Sequence, residues 1–581
     1  MKNKKTSERN LSTPTVSLCM IVKNEEKFLP QCLESIKWVV DEIIIVDTGS
    51  TDRTVEIAKS YRAKVYFHPW EGNFSKARNI SLGYATCDWI LVIDADEELD
   101  RKYIPEIKRV IKSDEYDVIF CSVLSSSPNG DSKNYSHRIF RRGKAHYEGI
   151  VHNQLVHEGK WLHTDIQIYH YGYNLSKEDM DAKYRRTESL LVKQLEQDPA
   201  DPFTYQNYVR VLRVQQRNEE AIKAGLKALD SCGDRMNDLH YQMISVDIVF
   251  SLLSLKKYTE AEKLVRQILH KYPKNLDANF ALGLILQGEK QYQNAIDSMQ
   301  NFIKLNRDYK KSPQHTRVII DTFDFEHRAW GNISDCYFHL QNYNSSHEAI
   351  KRAIKLHPEI PVYHTAYARV LILLGKSDFA RSHLNEFERT GNIEPVFYEK
   401  WAGLCIVYPD FGNPVDVLQK GVAKYPDSVE LRYLLGERLL PVDINRAEQE
   451  LKTVLEKQNG HIQAHFGLAT IYTKQQNTKM LSCQADQILR HAPVNVLFKQ
   501  VAGYCARLNL YEKAIELLSQ YLHNSPNDVD VLVDVSTCYA KLSKYDAAFA
   551  GYKAALNQSP GNPKIIKNLQ ILQQIVQNTP V

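Results

Sequence analysis

A repeat of 34 residues runs through the C-terminal part of the chain and constrains its fold more than any other feature. Tyr511-Glu-Lys-Ala514 recurs 34 positions later as Tyr545-Asp-Ala-Ala548, and Tyr258 and Tyr292 are separated by the same interval. Helix-ending prolines at 358, 426, 493, 526 and 560 follow at about one or two such intervals. This period is typical of helix-turn-helix units that stack on their neighbours. About ten units between residues 200 and 560 are therefore predicted.

Composition excludes several classes of protein. The chain has 581 residues, of which 43% are hydrophobic and 25% charged, and its net charge is only +4. This balance is that of a globular protein with several domains, and it gives no reason to expect nucleic acid as a partner. No apolar run approaches the ~18 residues of a membrane span, and residues 1–13 indicate a flexible tail without a signal peptide. The ten scattered cysteines form no Cys-x-x-Cys pair. A cytoplasmic protein with reduced thiols is therefore expected.

The N-terminal region has a different pattern, in which buried strands alternate with helices. Strands are predicted at Val16–Val22, Glu42–Val46, Lys64–Phe67 and into Asp94. The intervening helices are expected to begin at an Asn24 N-cap and to cover residues 51–61 and 75–85. This alternation predicts an α/β domain with a Rossmann-like mixed sheet whose strands are mostly parallel. No Gly-x-Gly-x-x-Gly follows the first strand, which argues against a dinucleotide-binding domain.

Polar side chains follow three of these strands. The apolar run Trp89-Ile-Leu-Val-Ile93 leads directly into Asp94-Ala-Asp96, while Asn24 and Asp47 follow the first two strands. Equivalent ends of parallel strands meet at one edge of a sheet, where ligands bind in open α/β folds. Paired carboxylates there suit a hard divalent cation that bridges to phosphate groups. The sequence therefore predicts a pocket for a nucleoside diphosphate.

Four linked motifs make this interpretation more specific. They are Met20-Ile-Val-Lys-Asn-Glu25, Asp47-Thr-Gly-Ser-Thr-Asp52, Asn73-Phe-Ser-Lys-Ala-Arg-Asn79 and Asp94-Ala-Asp96. In this order and spacing they resemble the family 2 glycosyltransferases, which have the GT-A nucleotide-sugar fold. The resemblance extends to the bacterial branch that carries tetratricopeptide repeats and includes peptide glycosyltransferases of the glycocin type. It implies a transferase domain at 14–175, a connecting helix at 176–199, and tetratricopeptide repeats with a capping helix at 200–581.

The resemblance implies an inverting, metal-dependent transfer of a hexose from a UDP-sugar. Asp47 would hold the uracil or ribose, Asp94 would bind the ribose or donor sugar, and Asp96 with His170 would bind Mn²⁺ or Mg²⁺. The remaining residues assigned to the nucleotide-sugar site are Asn24, Glu25, Ser50, Arg78 and Asn79. Two alternatives stay open from the residues alone: Arg78 as a surface ion-pair partner, and His170 as a buried histidine bonded to backbone. Thr48 stands where many relatives have a second acid, and uridine is still favoured.

The acceptor side is expected between residues 147 and 170. Tyr147-Glu-Gly-Ile-Val-His152-Asn-Gln154 resembles the acceptor motif of this branch, except that Asn153 replaces a glutamate. An inverting transfer needs a base for the acceptor, and Glu148 or His152 are the local candidates. Six histidines fall between residues 137 and 170, but their spacing fits no tight zinc pattern.

The repeats are expected to hold a peptide or protein acceptor, to associate into homo-oligomers, or both. A glycan acceptor is the alternative. Two other functions compete with this prediction. One is a repeat scaffold with a vestigial transferase domain. The other is a nucleotidyltransferase, which would need a glycine- and Arg/Lys-rich phosphate loop where this chain has Lys23-Asn24-Glu25.

Overall fold

The computed structural model describes residues 13–125, 131–150, 154–172, 177–311, 318–391, 393–492 and 496–577. The chain forms two compact units, Met1–Pro358 and Glu359–Val581. The first contains a β-sheet followed by helices, and the second is helical throughout its described part. Across the described residues, no helix is both long and apolar enough to cross a membrane.

Eight strands form one mixed sheet, and two more form a separate hairpin. The strands are β1 (Val16–Val22), β2 (Glu42–Asp47), β3 (Lys64–Phe67), β4 (Trp89–Val92), β5 (Glu97–Leu99), β6 (Val118–Ser125), β7 (Ser132–Arg141), β8 (Ala145–Glu148), β9 (Gln154–His157) and β10 (Trp161–His170). Their order in the sheet is β3-β2-β1-β4-β7-β6-β10-β5, and β8 pairs with β9.

The strand directions place several chain segments at one edge of this sheet. β1 is parallel to both β2 and β4, with Val22 opposite Asp47 in the register. β7 lies antiparallel between β4 and β6, and β5 lies antiparallel on β10. The residues that follow β1, β2 and β4 therefore share an edge with the antiparallel β5. The predicted α/β fold with a mixed sheet is confirmed.

Both faces of the sheet are buried, as the unbroken apolar run of β4 predicted. Trp89 and Leu91 belong to one apolar cluster, whereas Ile90 and Val92 belong to another on the opposite face. Adjacent residues of a strand point to opposite faces, so each face receives its own apolar set. The helices beside the sheet are α1 (Leu29–Ile36), α2 (Thr54–Ser60), α3 (Phe74–Gly83) and α4 (Ile104–Val110).

The start of α1 differs from its prediction. This helix begins at Leu29 and not after an Asn24 N-cap, because Asn24 has a left-handed backbone with φ of 59°. The Asn24 Oδ1 atom accepts hydrogen bonds from the amide of Thr51, at 2.8 Å, and from its hydroxyl. Asn24 therefore joins the loops after β1 and β2 instead of capping a helix.

Helices occupy the rest of the chain. α5 (Lys177–Gln197) lies within the range 176–199 predicted for the connecting helix. The further helices of the first unit are α6 (Pro202–Val214), α7 (Asn218–Ser231), α8 (Asp238–Ser254), α9 (Tyr258–Lys271), α10 (Leu276–Gly288), α11 (Tyr292–Lys311), α12 (Glu326–His339) and α13 (Tyr343–Leu356). The domain boundaries near residues 175 and 199 stay a prediction.

The second unit continues the same pattern. Its helices are α14 (Pro361–Leu373), α15 (Ser377–Thr390), α16 (Pro395–Val407), α17 (Pro414–Lys424), α18 (Val429–Leu439), α19 (Ile444–Lys457), α20 (Ile462–Lys474), α21 (Thr478–His491), α22 (Val496–Arg507), α23 (Tyr511–Asn524), α24 (Val529–Lys541), α25 (Tyr545–Gln558) and α26 (Pro563–Gln577). Within the described residues, α6 to α25 make ten helix pairs, and α26 follows where a capping helix is predicted. The repeat alanines Ala514 and Ala548 are fully buried, which lets paired helices approach closely.

Candidate active site

The loops after β1 and β2 form one wall of a polar site. Asp47 is buried, and its Oδ1 atom accepts hydrogen bonds from the amides of Gly49 and Ser50, each at 3.0 Å. Its Oδ2 atom is also buried but has no hydrogen-bond partner among the described residues. A buried carboxylate oxygen without a partner is costly, so it indicates a place where a ligand donates a hydrogen bond. Ser50 uses its hydroxyl to accept from the Asn24 amide at 3.0 Å.

Asp94 lies between two partly buried arginines, each with 12% of its side chain exposed. Arg78 of α3 donates to the Asp94 Oδ1 atom at 2.6 Å, and Arg138 of β7 lies 4.0 Å from its Oδ2 atom. Burial alone would raise the pKa of this carboxyl, but the two guanidinium groups outweigh burial and hold its pKa at about 2. Asp94 therefore stays ionised under all ordinary conditions. Arg78 is an ion-pair partner, as the alternative supposed, but only 12% of its side chain is exposed and the pair faces the site and not the open surface of α3.

Arg138 also pairs with Glu97, the first residue of β5. Its guanidinium lies 2.5 Å from the Glu97 Oε1 atom, while the Oε2 atom accepts from the Asp94 amide at 2.9 Å. Burial raises the pKa of Glu97 to about 7, and Arg138 opposes that rise. The two acids and Arg138 thus form one partly buried network, which fixes the turn between β4 and β5.

Asp96 meets His170 at the end of β10. The Asp96 Oδ2 atom lies 3.4 Å from the His170 Nε2 atom. A Cβ atom at position 172 would lie 2.0 Å from Asp96 Oδ2 and 2.8 Å from His170 Nε2, so Gly172 leaves space beside both atoms. Burial would lower the pKa of His170, but Asp96 raises it above its ordinary value. Imidazole and carboxylate with open space between them fit a divalent cation such as Mn²⁺.

Glu25 and Lys183 add opposite charges near this pair. Burial, followed by the charges of Asp96 and Asp94, raises the pKa of Glu25 to about 7, and Lys183 opposes that rise. The Lys183 ammonium donates to the Gly172 carbonyl at 3.1 Å. Because Lys183 belongs to α5, the first long helix after the sheet contributes a cation beside the candidate metal ligands.

The second wall of the site is formed by α3 and β8. Asn79 makes two hydrogen bonds with the backbone of Tyr147, and Arg78 lies against the Tyr147 ring with its central carbon 5.4 Å from the ring centre. Glu148 is exposed and lies 3.0 Å from His146. An open groove follows this wall, and its lining includes Asn73, Ser75, Lys76, Asn79, Ile80, Tyr147, Glu148 and Gly149. His152 and Asn153 lie outside the described residues.

Three of the six clustered histidines serve in packing. His137, His157 and His163 surround the Phe120 ring, with centroid distances of 4.0, 6.3 and 4.2 Å. They come from β7, β9 and β10, whose pairing brings them together. Their rings therefore pack around an apolar side chain.

Four site residues were not predicted from the sequence: Glu97, Arg138, Gly172 and Lys183. Glu97 follows the predicted acidic pair directly and could have been included with it. Arg138 and Lys183 reach the site through long-range packing. For Gly172, the only signal in the sequence is its position two residues after His170.

Comparisons with known proteins agree with this architecture. Residues 17–173 match the family described as Glycosyl transferase family 2, and residues 251–308, 327–360 and 502–563 match tetratricopeptide repeat families. The SPbeta prophage-derived glycosyltransferase SunS of Bacillus subtilis is 28% identical over 351 residues, which are 58% of this chain and 83% of that protein. A TPR repeat-containing protein of Synechococcus elongatus is 37% identical over 202 residues, covering 32% of this chain and 50% of that protein. An uncharacterized glycosyltransferase of Rickettsia typhi is 40% identical over 162 residues, covering 26% and 55%.

Proposed function

We propose that this chain, a family 2 glycosyltransferase with C-terminal tetratricopeptide repeats, transfers a hexose from a UDP-sugar to a peptide or protein with inversion at the anomeric carbon. The observation that carries the proposal is the joint position of Asp96, His170 and Asp47. Two metal-ligand types face the space beside Gly172, and the same sheet edge holds a buried carboxylate oxygen of Asp47 that has no hydrogen-bond partner in the described part of the chain. A nucleoside diphosphate with a divalent cation supplies what both features need.

Asp96 and His170 would hold Mn²⁺ or Mg²⁺ in this proposal. Their facing atoms are 3.4 Å apart, which is a suitable separation for two neighbouring ligands of one ion. When bound, the ion supplies positive charge to the diphosphate that leaves as the sugar is transferred. Lys183 adds a second positive charge on the same side.

Asp47 and Asp94 would orient the donor. The Asp47 Oδ2 atom is available to accept a hydrogen bond from the uracil ring or the ribose, because Oδ1 is already used by Gly49 and Ser50. Asp94 would accept from hydroxyl groups of the ribose or the sugar, since its two arginine neighbours keep it ionised. Ionised acceptors make stronger hydrogen bonds than neutral ones, and these rigid carboxylates would hold the donor in one orientation.

The acceptor would enter along the groove that contains Glu148. This carboxylate is exposed at the groove and is available to take a proton from an incoming hydroxyl or thiol. His152 is the second candidate for the base. A polypeptide acceptor is favoured by the tetratricopeptide repeats, which present extended surfaces for such ligands, and a glycan is the alternative.

Nucleotide binding measured by thermal shift would test this function. UDP with Mn²⁺ should raise the unfolding temperature, because a ligand that binds only the native state stabilises it. Asp96→Asn should abolish the manganese-dependent part of the shift, and Asp114→Asn, at an exposed surface acid, should leave it unchanged. A panel of UDP-hexoses would then identify the donor by hydrolysis or transfer. A manganese-dependent shift in Asp96→Asn equal to that of the wild type would show that Asp96 does not bind the metal. No turnover with any UDP-sugar would favour a repeat scaffold with a vestigial transferase domain.

A further inference from the structure

An insertion interrupts the helical repeats between α11 and α12. α10 begins at Leu276 and α12 at Glu326, which is a longer interval than from Pro361 of α14 to Pro395 of α16. The described part of the insertion covers residues 318–325. Neither the sheet nor the repeat pattern explains why this segment is present.

The insertion bonds to the catalytic sheet and to the repeats. Ile320 exchanges two backbone hydrogen bonds with Lys133 of β7, at 2.9 and 3.1 Å. Thr322 donates its amide and its hydroxyl to the buried Asp277 of α10, at 2.9 and 2.7 Å. β7 also carries Arg138 of the candidate active site. The insertion is therefore a direct link between the repeats and the strand that supports Asp94 and Glu97.

The insertion ends in a cluster of three metal-ligand side chains. Asp324, His327 and His357 each offer one ligand atom, and these atoms lie within 4.8 Å of one another. His357 Nε2 is 3.4 Å from Asp324 Oδ2, and the two imidazole rings have centroids 4.0 Å apart. The antiparallel pairing of α12 and α13 brings them together, because His327 lies in the first turn of α12 and His357 caps the end of α13.

The chemistry of this cluster favours a transition metal. Two neutral imidazoles and one carboxylate are a common ligand set for zinc, which leaves one position for water. Modest side-chain rotations would bring the three atoms to the ~2.0–2.2 Å bonds of such an ion. Lys310 lies 3.8 Å from Asp324 Oδ1, the oxygen that does not face His357.

The α8–α9 pair, two repeats earlier in the chain, has different residues at the equivalent place. Where α9 ends beside the start of α8, Lys271 pairs with Asp238 at 2.8 Å. In the α12–α13 pair, the residue before the His357 cap is Leu356, which is exposed. Among the described residues, this helix pair has His327 and His357 with the Asp324 carboxylate where the α8–α9 pair has a lysine–aspartate ion pair.

We propose that Asp324, His327 and His357 bind one divalent transition-metal ion of the zinc class, which fixes the insertion against α12 and α13. The ion stabilises the link from the repeats through Ile320 to β7. This site is separate from the metal site of the proposed transferase function and uses none of its residues.

Metal content and cobalt spectroscopy of the full chain test the site. After removal of loosely bound metal, the wild type should take up one zinc ion that depends on this cluster, and Co²⁺ should give the visible absorption of a low-coordinate nitrogen–oxygen site. Asp324→Asn and His357→Gln change partly exposed side chains and should lose that ion and the cobalt bands. His270→Ala, at an exposed position in the last turn of α9, should keep both. Retention of the ion by Asp324→Asn and His357→Gln would overturn the proposal.

The two metal sites can be told apart by the same measurement. Asp96→Asn should keep the cobalt spectrum of the cluster, and loss of that spectrum would assign the ion to the donor site and overturn the second site. Hydrogen exchange of the peptide covering residues 318–325 should slow when zinc is added to the wild type but not to His357→Gln. Zinc binding without slower exchange would refute the role in fixing the insertion. None of these readouts requires glycosyl transfer, so a failed donor screen would leave them unaffected.

Discussion

The side-chain amide of Asn79 makes two hydrogen bonds with the backbone of Tyr147, donating to its carbonyl and accepting from its amide, each at 2.8 Å. These hydrogen bonds join α3 to β8, the two elements that form the second wall of the site. The preceding residue on α3, Arg78, pairs with Asp94. One helix therefore supports both sides of the site. Both polar atoms of the Asn79 side chain already bond to Tyr147, so a nucleotide bound by Asn79 would have to share these atoms with Tyr147.

Asn79→Ala should impair use of the acceptor more than binding of the donor. It leaves the amide and carbonyl of Tyr147 without these partners, which costs about 1–3 kcal/mol for a buried group. The expected result is a raised KM for the acceptor, with manganese-dependent UDP binding close to that of the wild type. Asn79→Asp keeps an acceptor for the Tyr147 amide and should show a smaller effect. An equal loss of UDP binding would instead support a direct contact with the nucleotide.

Arg138→Met should destabilise the protein strongly. It leaves the buried Glu97 without its ion-pair partner and removes one of the two cations near Asp94, and breaking a buried ion pair costs about 3–5 kcal/mol. Chemical denaturation would measure this loss in the free energy of unfolding. Adding Glu97→Gln should recover part of the loss because it removes the stranded charge. Arg142→Met, at an exposed position just after β7, is the control. An equally large loss of unfolding free energy in Arg142→Met, or no recovery of it in the double variant, would show that the Arg138–Glu97 ion pair does not stabilise the fold.

Local patterns in the sequence were sufficient for most elements and for the acidic residues of the site. The observed bounds of β1 coincide with the prediction, and α5 lies within the range predicted for the connecting helix, because β-branched runs and helical periodicity are local signals. Arg138 could not be predicted in this way, since it enters the site only because β7 inserts antiparallel between β4 and β6. Lys183 depends in the same way on how α5 packs. The prediction that Asn24 caps a helix was wrong, because asparagine favours left-handed turns as well as N-caps.

Stability below neutral pH should depend on Glu42. Burial would raise the pKa of this carboxyl, but hydrogen bonds from Lys64, Ser17 and Thr86 lower it to about 2 from an ordinary value of 4.5. A depressed pKa in the folded state stabilises the fold above the unfolded pKa, and this contribution disappears as the pH falls from about 4.5 towards 2. Glu42→Gln should therefore lower the unfolding temperature at pH 7, by an amount equivalent to about 2–3 kcal/mol. The difference in unfolding temperature between Glu42→Gln and the wild type should be smaller at pH 3 than at pH 7. An equal difference in unfolding temperature at the two pH values would show that the charge of the Glu42 carboxylate does not cause the loss of stability.

Truncation should show that the catalytic sheet needs the first repeats. Phe74, which begins α3, packs with Leu191 of α5 and Val211 of α6, and Ile320 bonds to β7. A chain that ends at Asp198 loses Val211 and the insertion, so it should unfold at a lower temperature and lose donor hydrolysis. A chain that ends at Pro358 keeps the whole first compact unit and should retain both folding and donor hydrolysis. If the second unit holds the polypeptide acceptor, the longer truncated chain should lose transfer to that acceptor while it still hydrolyses the donor. Equal donor hydrolysis by the two truncated chains would show that the contacts of Phe74 and Ile320 do not support the sheet.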